Sequence, residues 1–123
     1  MNIESPMHAV DTASRLLAVA LAKPKARVAW LCPATPIARV RLKEVSSKLE
    51  DNGVPFLVTT RVHPQILLRN GSTIDFLPVV DRRQAERLRG LDFDAVAASP
   101  WEVGSQTVRD VRPLLINRGG ELI

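Results

Sequence analysis

The chain has no tyrosine, three phenylalanines and two tryptophans, an aromatic content of 4%. So few rings argue against a surface that binds single-stranded nucleic acid by stacking bases on aromatic faces. A single cysteine, Cys32, excludes an internal disulfide and suits a reducing compartment. The longest apolar stretch, Leu16 to Ala22, falls far below the ~20 residues of a membrane span. The opening Met1-Asn2-Ile3-Glu4 carries no basic region of the kind that begins a signal peptide, so the cytoplasm is the expected location. His8 and His63 stand isolated, without metal-ligand spacing to each other or to Cys32, and surface or capping roles are expected. Cys32 is expected to be a packed thiol, and neither a metal nor a cofactor is expected.

What is present describes one domain. The 123 residues, 46% hydrophobic and 24% charged, suffice to bury roughly two-thirds of the unfolded surface. Seventeen basic against 13 acidic residues leave a formal charge of +4, which permits an acidic partner such as DNA without demanding one.

Apolar spacing sets out the elements. Ser5-Pro6 reads as a cap followed by proline at the first helical position, and Ala9, Ala13, Leu16, Leu17, Ala20 and Leu21 predict a helix over 6–22. Val28–Cys32 reads as a buried strand. Thr35-Pro36 repeats the cap-and-proline device, and Ala38, Leu42, Val45 and Leu49 form one stripe of a helix ending near Gly53. Arg39, Arg41, Lys43 and Lys48 fall off that stripe and are expected on a solvated face. Val54–Thr59 predicts a further strand.

The stretch from Ile66 to Ala98 organises the rest. Asn70-Gly71 between two apolar runs is a hairpin signal, with positive φ expected at both positions. Asp81 and Gln84 suit a capping box for a short helix over 82–89. That helix carries Arg82, Arg83, Arg87 and Arg89, and guanidinium forks suit phosphate or acidic-protein recognition. Phe93–Ala98 is expected as the central strand, buried on both faces and entered past Asp92 and Asp94, which are expected to be solvated. It ends in Ser99 and Pro100. Trp30 and Trp101 are expected in the core or at an interface, and Trp101, just past that tip, is a candidate partner contact. Ser105 is placed to cap a last helix over 106–115, before a terminal strand Glu121–Ile123 at a sheet edge. Strands alternating with helices predict an α/β domain with a mostly parallel sheet and one β-hairpin insertion.

Taken in order, these segments resemble the ATPase half of phage terminase large subunits. Val28-Ala-Trp-Leu-Cys-Pro-Ala-Thr35 and the following helix are similar to the strand and helix after the phosphate-binding helix in P-loop ATPases. Arg69-Asn-Gly-Ser-Thr-Ile-Asp-Phe76, the Leu88-Arg-Gly90 step, Leu91-Asp-Phe-Asp-Ala-Val96 and Val111–Gly120 continue the likeness over roughly residues 15–123. The resemblance implies a P-loop, helicase-like fold and a phage setting; terminases drive DNA into a capsid with ATP.

The departures fall on the chemistry. The family cradles phosphates with G-x-x-x-x-G-K-S/T ahead of its first long helix, but residues 1–12 contain neither Gly nor Lys. Where the family carries Asp-Glu to hold Mg²⁺, this chain has Ser99-Pro100. Those two positions read as a degenerate metal site, with Glu102 the nearest acid. The expectation is a single, catalytically dead terminase-like domain, residues 1–123, in the host cytoplasm. It would bind DNA or a subunit of an ATPase or packaging assembly, with homo-oligomer formation through the terminal strand edge. The rival expectation is a small phage effector that inhibits a host or rival-phage protein by occupying an interface. An active enzyme would need Glu102 to act with a phosphate loop from another chain.

Overall fold

The computed structural model describes residues 4–79 and 91–123, with side chains from Thr12 onward. The elements in chain order are α1 (Glu4–Ala22), β1 (Arg27–Cys32), α2 (Thr35–Asp51), β2 (Phe56–Thr59), β3 (Gln65–Leu68), β4 (Thr73–Pro78) and β5 (Ala95–Ala97). Then come two short helices, α3 (Pro100–Val103) and α4 (Ser105–Val111), a 3₁₀ helix over Arg112–Arg118, and β6 (Glu121–Leu122). The expected helix over 82–89 lies outside the described residues.

The fold is α/β, but its sheet is mixed rather than mostly parallel. Six strands run in the order β2-β3-β4-β1-β5-β6. β1 lies parallel to both β4 and β5, and β5 parallel to β6. β2, β3 and β4 form an antiparallel meander on the other side. β1 and β4 therefore hold the centre, and Phe93–Ala98 does not: its paired part shrinks to three residues one place further out. Burial misleads here, because every residue from Phe93 to Ala98 is buried although the strand is short.

Alternation on β1 divides the core. Val28, Trp30 and Cys32 face α1 and α2, packing with Leu16, Ala20, Ala38, Leu42, Val45, Leu49, Ile74 and Phe76. Ala29 and Leu31 face the other layer, where Val108, Val111 and Leu115 of α4 and the 3₁₀ helix cover them. The apolar stripe of α2 is buried as its spacing requires. Its cap is not as expected: Ala34 occupies the N-cap, with Thr35 already helical and Pro36 in the first turn. Likewise Gly104, not Ser105, precedes α4, and the last helix tightens to 3₁₀ where Pro113 removes a backbone donor.

The hairpin forms where Asn70-Gly71 places it, through a different turn. Gly71 N–H donates to Leu68 O at 3.0 Å and Leu68 N–H donates to Ser72 O at 2.9 Å, a three-residue connection with a bulge. Only Gly71 takes positive φ, +88°. Asn70 instead reaches away from the hairpin: its Nδ2 donates to Ala20 O at 2.8 Å, at the end of α1. Ser72 Oγ donates to Lys23 O and accepts from Ala26 N–H. The turn thus satisfies one of the last carbonyls of α1 and one just beyond its end.

Candidate functional site

In an open α/β sheet, ligands bind beyond the carboxyl ends of the parallel strands, where neighbouring connections leave in opposite directions. Here that point lies between β1 and β5. The chain leaves β1 through α2 on one face, towards β2–β4, and leaves β5 through α3, α4 and the 3₁₀ helix on the other face, towards β6.

The crevice at this point is filled by side chains. Ser99 is the N-cap of α3 and Pro100 its first residue; Ser99 O accepts from the N–H groups of Glu102 and Val103. Glu102 is thereby turned towards α2, where its Oε2 accepts from Arg41 Nη2 at 2.5 Å. The pair is largely shielded, with the side chains 16% and 24% exposed. The Arg41 guanidinium lies 4.7 Å above the Trp30 ring centroid, and Nη1 points to Cys32 Sγ at 3.9 Å. Trp30 in turn leans on Phe76, with centroids 6.4 Å apart. One cation thus bridges the tips of two strands through an ion pair, a thiol and an aromatic face.

Burial pulls the Arg41 pKa down, but its bonds to Glu102 and to Cys32 outweigh that, and the net shift is upward. Burial pushes the Cys32 thiol up to about 11 against the opposing pull of Arg41. The thiol stays protonated at neutral pH, which makes it a packing group rather than a nucleophile. Arg41 was expected on a solvated face and is not. Its position held a signal: it follows Ala38 by three residues and precedes Val45 by four, on the flank of the buried stripe.

Trp101 stands outside this closure and is 80% exposed, whereas Trp30 is core. Ile37 and Val40 of α2, also exposed, lie within a turn of Arg41. Arg82, Arg83, Arg87 and Arg89 lie outside the described residues.

One further carboxylate departs from expectation. Asp94 is buried at the amino end of β5, not solvated. It accepts from Lys23 Nζ at 2.6 Å, Arg27 N–H at 2.8 Å and Arg118 Nη1 at 2.9 Å. Burial alone would raise its pKa; the three donors reverse that and hold it below the usual carboxylate range. Asp92 remains at the surface and accepts from Asn117. Asp75, buried on β4, accepts from His63 Nε2 at 2.9 Å and Gln65 Nε2 at 2.6 Å, so His63 is neither isolated nor a cap. Among the described residues no three His, Cys, Asp or Glu side chains come together as metal ligands, and no helix is long and apolar enough to cross a membrane.

No protein-family model, curated protein or solved structure matches the chain.

Proposed function

We propose that this chain is a non-catalytic, phage-derived protein built on a degenerate terminase-like ATPase fold of the P-loop type, acting by binding in the host cytoplasm. One observation carries the reading. The crevice where an α/β ATPase would hold nucleotide is closed by the Arg41–Glu102 pair seated on Trp30. At the strand tip beside it, Ser99 and Pro100 offer no carboxylate to Mg²⁺. Glu102, the acid that the described residues bring to this tip, already neutralises Arg41, so it is poorly placed to polarise water. The binding partner in this reading is DNA or a subunit of an ATPase or packaging assembly. The basic run Arg82, Arg83, Arg87 and Arg89 supplies the charge for the former.

Titration of a fluorescent ATP analogue with Mg²⁺ tests this. No saturable binding and no phosphate release are expected; micromolar affinity or turnover would overturn it. The DNA arm is tested by anisotropy with duplex DNA over a salt series. Replacing Arg82, Arg83 and Arg87 by Ala should weaken binding across sequences and flatten the salt slope by roughly one unit per lost phosphate contact.

A second reading, an effector that occupies a protein interface, is favoured by exposed Trp101 with Ile37 and Val40 beside the closed crevice. Affinity capture from host lysate with and without nuclease separates the two. Nuclease-resistant protein partners lost on Trp101→Ala favour the effector; DNA-dependent recovery favours the DNA binder.

A further inference from the structure

We propose that the outer edge of β2 is a pairing surface for a second copy of this chain, the two β2 strands running antiparallel about a twofold axis. Among the described residues β3 is the strand paired with β2, and the opposite side of β2 is a sheet edge. Its outward backbone groups form a template for another strand. Natural edges are blunted by inward-pointing charges, lysine or bulges. This one has none of those three and is guarded by its shortness alone: residues 54–60, Val-Pro-Phe-Leu-Val-Thr-Thr, carry no charge, and their one proline precedes the four paired residues.

The edge is also apolar on both faces. Val58 pairs with Ile66, which is buried against α1 and α2, so Val58 projects to that side and Leu57 to the other. Leu57 is 70% exposed, Val58 is half-exposed, and Val62 beyond the strand is 87% exposed. A chain added at this edge would cover all three.

Charge selects a second copy as the occupant. Glu50 and Asp51 precede the strand and Arg61 follows it, all exposed. Two copies laid parallel would set acid against acid. Laid antiparallel, each copy brings its acidic end to the other's basic end, the self-complementarity a twofold interface requires. The opposite edge of the sheet, β6, offers two residues, one of them Glu121, and is the poorer template. Four residues of strand and three apolar side chains make a small interface, and a micromolar, concentration-dependent dimer is expected.

Sedimentation velocity on the full chain over a concentration series decides it. The expected result is a shift from the 13.6 kDa monomer towards twice that mass. Leu57→Lys should weaken the dimer by about tenfold or more, since it loses the burial of an exposed leucine and sets two cations near the axis. Its melting at dilutions where the wild type is monomeric should be unchanged. Asp51→Lys and Arg61→Glu should each weaken self-association, and a mixture of the two should pair again, because both contacts in the mixed dimer are then between opposite charges. A wild type that stays monomeric at high micromolar concentration would overturn the proposal. So would a dimer indifferent to Leu57→Lys, which would place the contact on another face or on β6. Singly weakened variants that fail to pair when mixed would overturn the antiparallel arrangement.

Discussion

The two ends of the parallel strands are both closed by charged groups, but in different ways. At the amino end, Asp94 is nearly inaccessible and takes three donors from three places in the chain: the loop after α1, the first amide of β1 and the 3₁₀ helix. At the carboxyl end, Arg41 and Glu102 form one pair in partial contact with water, supported by a thiol and an indole ring. Both join segments distant in sequence, but the first ties three of them together at the end away from the crevice and serves the architecture. The second occupies the place where folds of this class keep an opening. A carboxylate held by three donors is expensive to delete, whereas the largely shielded pair keeps its hydrogen bond when Glu102 becomes its amide.

That contrast can be broken experimentally. Asp94→Ala should be the most damaging change, lowering unfolding free energy by about 3 kcal/mol in urea titration, a value held down because Lys23 and Arg118 can turn to solvent. Gly120→Ala strikes the same end sterically. A Cβ there would stand 2.4 Å from Phe93 O, and moving a backbone carbonyl should cost about 2 kcal/mol. Glu102→Gln at the other end should cost only about 1 kcal/mol, because the amide oxygen still accepts from Arg41. If Glu102→Gln proved as costly as Asp94→Ala, the distinction between the two ends would fail.

Acid sharpens the same comparison. Asp94 has a lowered pKa in the folded state, so its contribution is fully present above the unfolded carboxylate value of ~3.9. It is lost as the pH falls from there through the folded value. Wild-type urea midpoints should therefore drop more steeply below about pH 4 than those of Asp94→Asn, which has no such proton to take up. The smallest effect concerns Cys32. Because Glu102 raises the thiol pKa, Glu102→Gln should lower it from about 11, read as thiolate ultraviolet absorbance against pH.

Much of this architecture was legible in the residues, and the illegible parts share a cause. The α2 stripe from Ala38 to Leu49 and the turn at Gly71 are set by local geometry, and both form where their spacing puts them. Strand order is not local: nothing in Val54–Thr59 says whether it joins the parallel strands or the meander, so the mixed sheet was out of reach. Asp94 was misjudged for the same reason. Its partners lie 71, 67 and 24 residues away, and a lone acid at a strand entrance looks alike whether solvated or saturated. Arg41 was the nearer miss. A long cation on the flank of a buried stripe is where an aliphatic stem lies against the core and its head seeks a partner.

The staple between the hairpin turn and the end of α1 also has a kinetic consequence. Asn70 and Ser72 meet carbonyls and amides of residues 20–26 only once both segments are in place. The amides of Lys25, Ala26, Ser72 and Thr73 should therefore lose their deuterium-exchange protection together, in a single opening that also frees the first helix. A cut in the loop after Ala22 would then loosen the turn at Asn70 and Ser72 as well, while β4 keeps its pairing with β1.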